Sequence, residues 1–357
     1  MWVSDRAVER LRVATGAPDL SGTRYRLLEH VARGGMGAVY LAEDTALGRR
    51  VALKILDLPD PSGELAQRLL REARILARLE HPSIVPIHDV GTLADRRVFY
   101  TMKFVQGGRL DQYLERAGSL PDSLRIFQRI CEAVAFAHAQ GVLHRDLKPE
   151  NIMVGPFGEV LVMDWGVAKI LRGSPLTGSS TRQGSDPSAS QTAEDGREAQ
   201  APTIPRETAH GSVLGTPGYM APEQARGEID RLDARSDVYS LGAILRFLLT
   251  GRSPLEATTA GAGMRPSQGA TANGPVRPKA LEAICAKAMA DDIPSRYATA
   301  TELAAEVARY LDGLPVQAFP ESWLVRAGRV IARNRAWIIL VLAYLVVRVL
   351  LIFWGRR

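Results

Sequence analysis

The feature that most constrains this chain is an octapeptide at 144–151, His-Arg-Asp-Leu-Lys-Pro-Glu-Asn, which Asp-Trp-Gly follows at 164–166. So many specific residue types at fixed spacing are not typical of an ordinary solvated loop. They suit phosphoryl transfer, a reaction that asks the protein for positioning and charge stabilisation more than for covalent chemistry. Asp146 can accept the proton of a substrate hydroxyl, and Lys148 can neutralise charge on the transferred group.

Two further residues of this region are suited to a metal ion. Asn151 and Asp164 offer amide and carboxylate oxygens, which are the hard ligands that Mg²⁺ prefers. We therefore expect Mg²⁺ as a cofactor, with Mn²⁺ as an alternative ion.

A glycine-rich segment upstream is suited to bind phosphates. Gly34-Gly35-Met36-Gly37 lies between two strand-like runs, where glycines let backbone N–H groups approach a triphosphate without Cβ clashes. Ala32 occupies the first position of the G-x-G-x-x-G pattern, and a glycine-rich hairpin alone is more often just a tight turn. Lys54 on the next strand strengthens the interpretation, since it can reach the phosphates under the loop. Glu72, on a helical stretch, supplies a carboxylate to hold that Lys.

The spacing of apolar residues predicts an α+β fold with two parts. Alternating and β-branched runs up to Leu56, a helical stretch over 64–79, and strand-like runs near 84–90 and 98–105 indicate a small antiparallel sheet that carries one helix. From there to about Leu314 the pattern is mostly helical.

Together these motifs resemble the protein kinase family over residues 25–314, and most closely the bacterial Ser/Thr kinases. The resemblance implies a bilobal protein kinase fold with an N-lobe at 25–104 and a larger helical C-lobe at 105–314. It implies transfer of the ATP γ-phosphoryl group to Ser or Thr hydroxyls of protein substrates in signal transduction. Lys148 and Thr216 imply the Ser/Thr specificity.

The resemblance also assigns roles to individual residues. Lys54 and Glu72 form an ion pair, Asp146 is the catalytic base, and Thr216 lies in the substrate platform. The nucleotide pocket comprises the glycine loop, the residues around adenine, the residue guarding the back pocket, and the hinge: Val31, Gly34, Gly35, Gly37, Val39, Ala52, Lys54, Met102, Lys103, Val105 and Met153.

Three structural roles come from the same resemblance. Glu223 pairs with Arg296, and Asp237 supports the backbone of the catalytic loop. Trp165 stands where the family usually has Phe, and we expect this aromatic ring to pack under the long helix.

The activation segment between the metal-binding motif and the substrate platform is long. Residues 173–210 are rich in Ser, Thr, Gly, Pro, Gln and Asp, so they cannot bury enough apolar surface to offset ordering entropy, and we expect a disordered insertion. Arg145 is available to pair with a phosphate on this segment. The candidate phosphoacceptors, each with a solvated loop hydroxyl as the alternative, are Thr203, Thr208 and Ser212. We expect autophosphorylation there, in trans within a homodimer.

Another stretch departs from the family pattern. Residues 256–278 are rich in Gly, Ala, Thr and Pro and lack the apolar face of a helix. Kinases usually carry a substrate-docking helix in this region, so its loss is expected to alter the choice of partner and to leave the chemistry intact.

Composition argues against a nucleic-acid partner and against a cysteine-based metal site. The net charge is +6, but the Arg residues are scattered, and the densest group, within 326–335, precedes an apolar tail. We attribute that excess to a membrane flank. Cys131 and Cys285 fall in segments with helical apolar spacing and form no metal-ligand pattern, which predicts buried, reduced thiols.

The apolar tail predicts a single membrane-spanning helix over 337–354, in contact with membrane lipid. At about 1.5 Å per residue it extends about 27 Å, just enough for a hydrocarbon core of about 30 Å. Arg348 lies towards its C-terminal end and can snorkel to the interface. Four Arg residues in the juxtamembrane segment 315–336 against two after the span place the kinase domain on the cytoplasmic side of the bacterial inner membrane. A buried or interfacial helix is the alternative.

Two other functions fit parts of the pattern. A membrane-anchored pseudokinase scaffold would keep the fold without turnover, and the complete set of Lys54, Glu72, Asp146, Asn151 and Asp164 argues against it. A small-molecule phosphotransferase of related fold is disfavoured by the platform at 215–223, which resembles a site for protein substrates.

Residues 1–24 are predicted to be a disordered leader of no assigned role.

Overall fold

The computed structural model describes residues 17–34, 37–56, 62–115, 119–170, 216–252 and 278–320, with five separate residues of the tail. The insertion predicted at 173–210 and all but the last residue of the stretch 256–278 lie outside this range. So do Gly35 and the candidate phosphoacceptors Thr203, Thr208 and Ser212.

The N-terminal part is a five-stranded antiparallel sheet with one helix. Its strands pair in the order β1-β2-β3-β5-β4, which confirms the predicted small antiparallel sheet. The elements are β1 (Tyr25–Gly34), β2 (Gly37–Asp44), β3 (Arg49–Ile55), α1 (Glu64–Leu76), β4 (Ile87–Thr92) and β5 (Val98–Lys103). Strand β3 is central and buried at Val51, Ala52, Leu53 and Ile55, whereas the edge strand β1 is mostly exposed and has bulges at Leu28 and Val31.

Two element boundaries differ from the sequence prediction. Helix α1 ends at Leu76, three residues before the predicted end at 79. Strand β4 begins at Ile87 and not near 84, because Pro86 has no N–H group to donate to a ladder. Ile84 instead forms an isolated parallel bridge with Val162 of the other part of the molecule.

The C-terminal part is mainly helical, as predicted, with α2 (Leu110–Glu115), α3 (Leu120–Ala139), α4 (Pro222–Ala225), α5 (Ala234–Thr250), α6 (Lys279–Ala288) and α7 (Ala300–Leu311). Helix α3 is the buried centre and packs against α5 and α7, while α5 packs on α6. A Cβ on Gly242 of α5 would lie 2.7 Å from Ala288 Cβ of α6, so this close approach requires glycine.

Short strands that the sequence analysis did not predict lie between the two parts. They are β6 (Gly108–Arg109), β7 (Val142–Leu143), β8 (Ile152–Val154), β9 (Val160–Val162) and β10 (Lys169–Ile170). Segments of two or three residues are too short for an alternating pattern to be recognised. The antiparallel β8–β9 pair brings the octapeptide beside 164–166, since Met163 N–H donates to Asn151 O at 2.8 Å.

Two apolar clusters hold these elements. The larger lies between the inner face of the sheet, α1 and the helices of the C-terminal part. The smaller covers the outer face of the sheet and contains Leu20 and Tyr25. The leader predicted at 1–24 is described from residue 17 onward, and in that portion Leu20 is buried against the sheet.

In the tail the structure describes Tyr344, Leu345, Val347, Arg348 and Trp354. No helix among the described residues is both long enough and apolar enough to cross a membrane. Most of the span predicted at 337–354 therefore lies outside the described part of the chain.

Candidate active site

Lys54 and Glu72 form a buried ion pair under the sheet. Lys54 Nζ lies 2.8 Å from Glu72 Oε1 and 2.9 Å from Oε2, and the Glu72 side chain is 1% exposed. Burial opposes the charged ammonium, but the nearby carboxylates of Glu72 and Asp164 outweigh it and raise the pKa of Lys54. The Lys is therefore a permanent cation aimed into the cleft between the two parts.

Asp164 faces the same cleft from the C-terminal part. Its carboxylate is half exposed and accepts a hydrogen bond from Lys54 Nζ at 3.4 Å. Its φ of 56° is left-handed, a conformation that non-glycine residues rarely adopt and that often marks a functional site. Partial burial favours the neutral acid, but the positive charge of Lys54 and its hydrogen bond outweigh it and lower the pKa of Asp164. The group is thus an anion suited to bind a cation.

Trp165, the next residue, is almost fully buried. Its ring centroid lies 4.6 Å from that of His144, and its indole N–H donates to Val162 O at 3.4 Å. It belongs to the same cluster as Leu69 and Ala73 of α1. The packing of this ring beneath the long helix stays a prediction.

Asp146 lies at the centre of a closed set of polar contacts. Thr216 Oγ1 donates to Asp146 Oδ1 at 3.0 Å, and Lys148 Nζ lies 3.0 Å from Asp146 Oδ2. Lys148 Nζ also donates to Thr216 Oγ1 at 2.7 Å. Asn151 Nδ2 donates to Asp146 O at 2.8 Å and to Oδ2 at 3.2 Å. These contacts hold the carboxylate so that one oxygen accepts an O–H group and the other faces two N–H donors.

Asp237 of α5 holds the backbone of the octapeptide through hydrogen bonds. Its carboxylate accepts from the N–H groups of His144 and Arg145, at 2.8 and 2.9 Å, and contacts His138 Nε2 at 2.8 Å. Complete burial would favour the neutral acid, but the hydrogen bonds from His138 and from the Arg145 N–H outweigh it and lower the pKa of Asp237. Arg145 adopts a left-handed φ of 69°, and Asp237 stabilises this turn.

A second buried ion pair anchors the substrate platform. Arg296 donates to both carboxylate oxygens of Glu223, at 2.7 and 2.8 Å, and both side chains are fully buried. Ser236 Oγ adds a hydrogen bond of 2.8 Å to Glu223 Oε1. The pairing that the resemblance implied is therefore present, and it fixes the segment that follows Thr216 onto α5.

Comparison with known proteins assigns this arrangement to a family. The family model for the protein kinase domain matches residues 25–272. The chain belongs to the protein kinase family. Serine/threonine-protein kinase PknD of Protochlamydia amoebophila is 35% identical over 326 residues, covering 84% of this chain and 31% of PknD. Probable serine/threonine-protein kinase PknB of Bifidobacterium longum is 38% identical over 317 residues, covering 84% of this chain and 41% of PknB.

The chain matches only part of each of these relatives, and it shares its fold with solved structures. The chain spans less than half the length of these two relatives. Among solved structures, the kinase domain of M. tuberculosis PknI matches with a TM-score of 0.53 and 22% identity, covering 82% of this chain and 96% of that one. That similarity shows the protein kinase fold, in which a sheet-rich N-lobe faces a helical C-lobe.

The structure describes all of the positions that the resemblance assigned to the kinase nucleotide pocket except Gly35, and most of them lie on strands β1, β2, β3, β5 and β8. Val39 on β2 pairs with Lys54, and Ala52 on β3 pairs with Met102 on β5. Lys103 ends β5 and is exposed, while Val105 is buried beyond it. From the C-lobe, β8 contributes Met153. At the open side of the cleft, Val31 is half exposed at a bulge of β1, and Gly34 ends that strand.

Gly37 begins β2 at the turn of the glycine loop. Its φ is 146°, and a Cβ there would lie 2.1 Å from Ile55 O. Glycine is therefore required at this position by the close approach of β2 to the end of β3.

Sequence reasoning missed three polar residues of this kinase site. Tyr100 donates to Glu72, His138 contacts Asp237, and Gln224 Nε2 donates to Arg145 O at 2.6 Å. His138 and Gln224 belong to helices distant in sequence from their partners. For Tyr100 a signal was present, because it lies two residues before Met102 and therefore on the same face of β5.

Proposed function

We propose that this chain is a Ser/Thr protein kinase that transfers the γ-phosphoryl group of ATP to Ser or Thr hydroxyls of protein substrates in signal transduction. The observation that carries the proposal is the contact set at Asp146, in which a hydroxyl group, that of Thr216, already donates to Asp146 Oδ1 at 3.0 Å. An incoming substrate hydroxyl needs the same acceptor. The names of the curated relatives agree with this activity.

The residues present fit ATP and a divalent cation. The Lys54 ammonium, held by Glu72, is suited to the α and β phosphates. Asp164, whose carboxylate is half exposed, and Asn151, which lies beside Asp146, would hold Mg²⁺ or Mn²⁺. When bound, the cation neutralises negative charge on the phosphates.

The chain's own residues then position the acceptor hydroxyl. Asp146 accepts its proton as phosphoryl transfer proceeds, and Lys148, 3.0 Å from Asp146 Oδ2, places a positive charge beside the transferred group. The Thr216 hydroxyl, bonded to both, ties the substrate platform to the catalytic loop. This link between platform and base supports a protein substrate.

The experiment is transfer of ³²P from labelled ATP to the chain itself and to a generic basic protein, with Asp146→Asn as the comparison. We expect kcat to fall by about 10²–10⁴, because the variant keeps the shape of Asp146 but cannot accept the proton. Binding of ATP, measured by calorimetry, should stay the same. Bound ATP without transfer by the wild-type chain would instead identify a pseudokinase scaffold.

We also propose that residues 337–354 anchor the kinase in the bacterial inner membrane, with the kinase domain in the cytoplasm. The support is the apolar run of the sequence and its Arg flanks. The full chain should remain with membranes after alkaline carbonate extraction, and a chain ending at residue 336 should not. Release of the full chain by carbonate would contradict the anchor.

Regulation is proposed to act through the activation segment, with Thr203, Thr208 and Ser212 as autophosphorylation sites modified in trans within a homodimer. The support is their position just before the platform and the proximity of Arg145 to Asp146. Mass spectrometry after incubation with Mg-ATP should find phosphate within 200–216. An active chain unmodified in this stretch would refute the proposal. To test transfer in trans, an active chain is mixed with a tagged Asp146→Asn chain and labelled ATP. The tagged chain should become labelled.

A further inference from the structure

The β3–β5 register places a tyrosine next to the Lys54–Glu72 pair. Tyr100 on β5 lies directly opposite Lys54 on β3, and residues opposite each other in an antiparallel pair project from the same face of the sheet. Both side chains therefore point towards α1. Lys54 Nζ lies 5.8 Å from the centre of the Tyr100 ring.

The Tyr100 hydroxyl reaches the same carboxylate as the ammonium. It donates to Glu72 Oε1 at 2.8 Å, the oxygen that also accepts from Lys54 Nζ at 2.8 Å. Tyr100 is 2% exposed. Burial, together with the negative charge of Glu72, raises the pKa of Tyr100 well above its ordinary value. The phenol thus stays protonated and remains a donor.

The strength of this contact depends on where α1 lies. Among the residues that the structure describes, the Tyr100 hydroxyl has one hydrogen bond, the bond to Glu72. If α1 moved away from the sheet, the hydroxyl would remain in the apolar cluster without that acceptor. A buried donor without an acceptor is unfavourable, so Tyr100 favours the position of α1 in which Glu72 holds Lys54.

We propose that Tyr100 is a positioning residue for phosphoryl transfer, which acts through Glu72 to keep α1 in the catalytic position. This inference rests on the proposed kinase function. Tyr100 does not touch the phosphates in this account. It raises the fraction of molecules in which Lys54 is correctly placed, whether or not nucleotide is bound.

The test compares Tyr100→Phe with a matched control, Tyr25→Phe, in the full chain. Both substitutions remove a buried hydroxyl from the same sheet, but Tyr25 lies on the outer face and bonds to Asp89 at 2.9 Å. Tyr100→Phe should lower kcat by about tenfold, with a change in KM for ATP of less than about threefold. It should also accelerate hydrogen exchange of α1 amides by about tenfold, because this helix opens more often. Tyr25→Phe should change neither quantity.

A double-mutant cycle separates positioning from general packing. In a Glu72→Met background the acceptor is already gone, so Tyr100→Phe should add no further loss of kcat and no further increase in α1 exchange. Additive losses in that background would overturn the proposal, as would full activity of Tyr100→Phe with unchanged α1 exchange. An inactive wild-type chain would instead refute the kinase function, and the exchange measurements alone would then decide whether Tyr100 holds α1.

Discussion

At the scale of single residues, the site consists of charges held in place by neutral donors. Asp146 is oriented by Asn151 and Thr216, and Glu72 by Tyr100. Such contacts fix the geometry before substrate arrives, which is how positioning contributes to the rate of phosphoryl transfer. Thr216 joins the two oppositely charged groups of the catalytic loop, Asp146 and Lys148.

The first prediction concerns that hydroxyl. Thr216→Val preserves the shape of the side chain but removes the donor to Asp146 and the acceptor for Lys148. We expect a fall in kcat of about 10- to 100-fold, comparable to other losses of a single orienting group. Thr216→Ser keeps the hydroxyl and should retain most of the activity. Steady-state kinetics with ATP and a protein substrate measures both variants, and equal losses in Val and Ser would refute a role for the hydroxyl.

The role of a site residue could be predicted only when the sequence also indicated the residues that it contacts. Lys54, Asp146 and Asp164 lie in dense motifs, and the structure brings them to one cleft. The role of Tyr100 depends on a register between strands about fifty residues apart, and on the rotation of α1 that turns Glu72 inward. The alternation of β5 indicates that Tyr100 shares a face with Met102, but no local pattern encodes the tertiary details that bring Tyr100 to Glu72.

At the scale of elements, buried ion pairs connect segments that are far apart in sequence. Glu223 lies in the first turn of α4, and Arg296 lies just before α7. Burial favours the neutral acid, but hydrogen bonds from Arg296, from its own backbone N–H and from Ser236 outweigh it and lower the pKa of Glu223 from its ordinary value of 4.5. The platform is therefore held by a contact whose strength depends on pH.

The second prediction follows from the direction of that shift. A carboxyl group whose pKa is lowered on folding stabilises the folded state above its unfolded pKa, here 4.5, and the stabilisation is lost as pH falls through the lower folded value. The free energy of unfolding should therefore fall more steeply below pH 4.5 for wild type than for Glu223→Gln. Urea unfolding from about pH 7 to about pH 3 measures both slopes, and parallel slopes would contradict this contribution.

The partner side of the pair gives a third prediction. Arg296→Met leaves the Glu223 carboxylate buried without its bidentate donor, which destabilises a protein by about 3–5 kcal/mol. Urea unfolding at neutral pH checks the magnitude. The exposed pair Arg226–Glu228 serves as a control, and Arg226→Met should leave the free energy of unfolding nearly unchanged, because solvent screens an exposed ion pair.

At the scale of the whole molecule, two lobes meet at a cleft, and each lobe contributes some of the residues of the candidate active site. The N-lobe supplies Lys54 and Glu72, and the C-lobe supplies Asp146, Asn151 and Asp164, with Lys54 and Asp164 in contact across the cleft. The lobes and their order along the chain could be predicted, because periodicity over long segments is a strong signal. The short strands that align the catalytic loop could not be predicted, since each of them forms only by pairing with another strand.

We infer above all that this chain transfers the γ-phosphoryl group of ATP to protein hydroxyls. The most direct measurement is phosphoamino-acid analysis of a basic protein substrate after incubation with the full chain, Mg²⁺ and γ-³²P-ATP. We expect labelled phosphoserine or phosphothreonine, and we expect this label to be lost in Asp146→Asn. Label recovered only on an aminoglycoside or as free phosphate, or labelling that persists in Asp146→Asn, would contradict it.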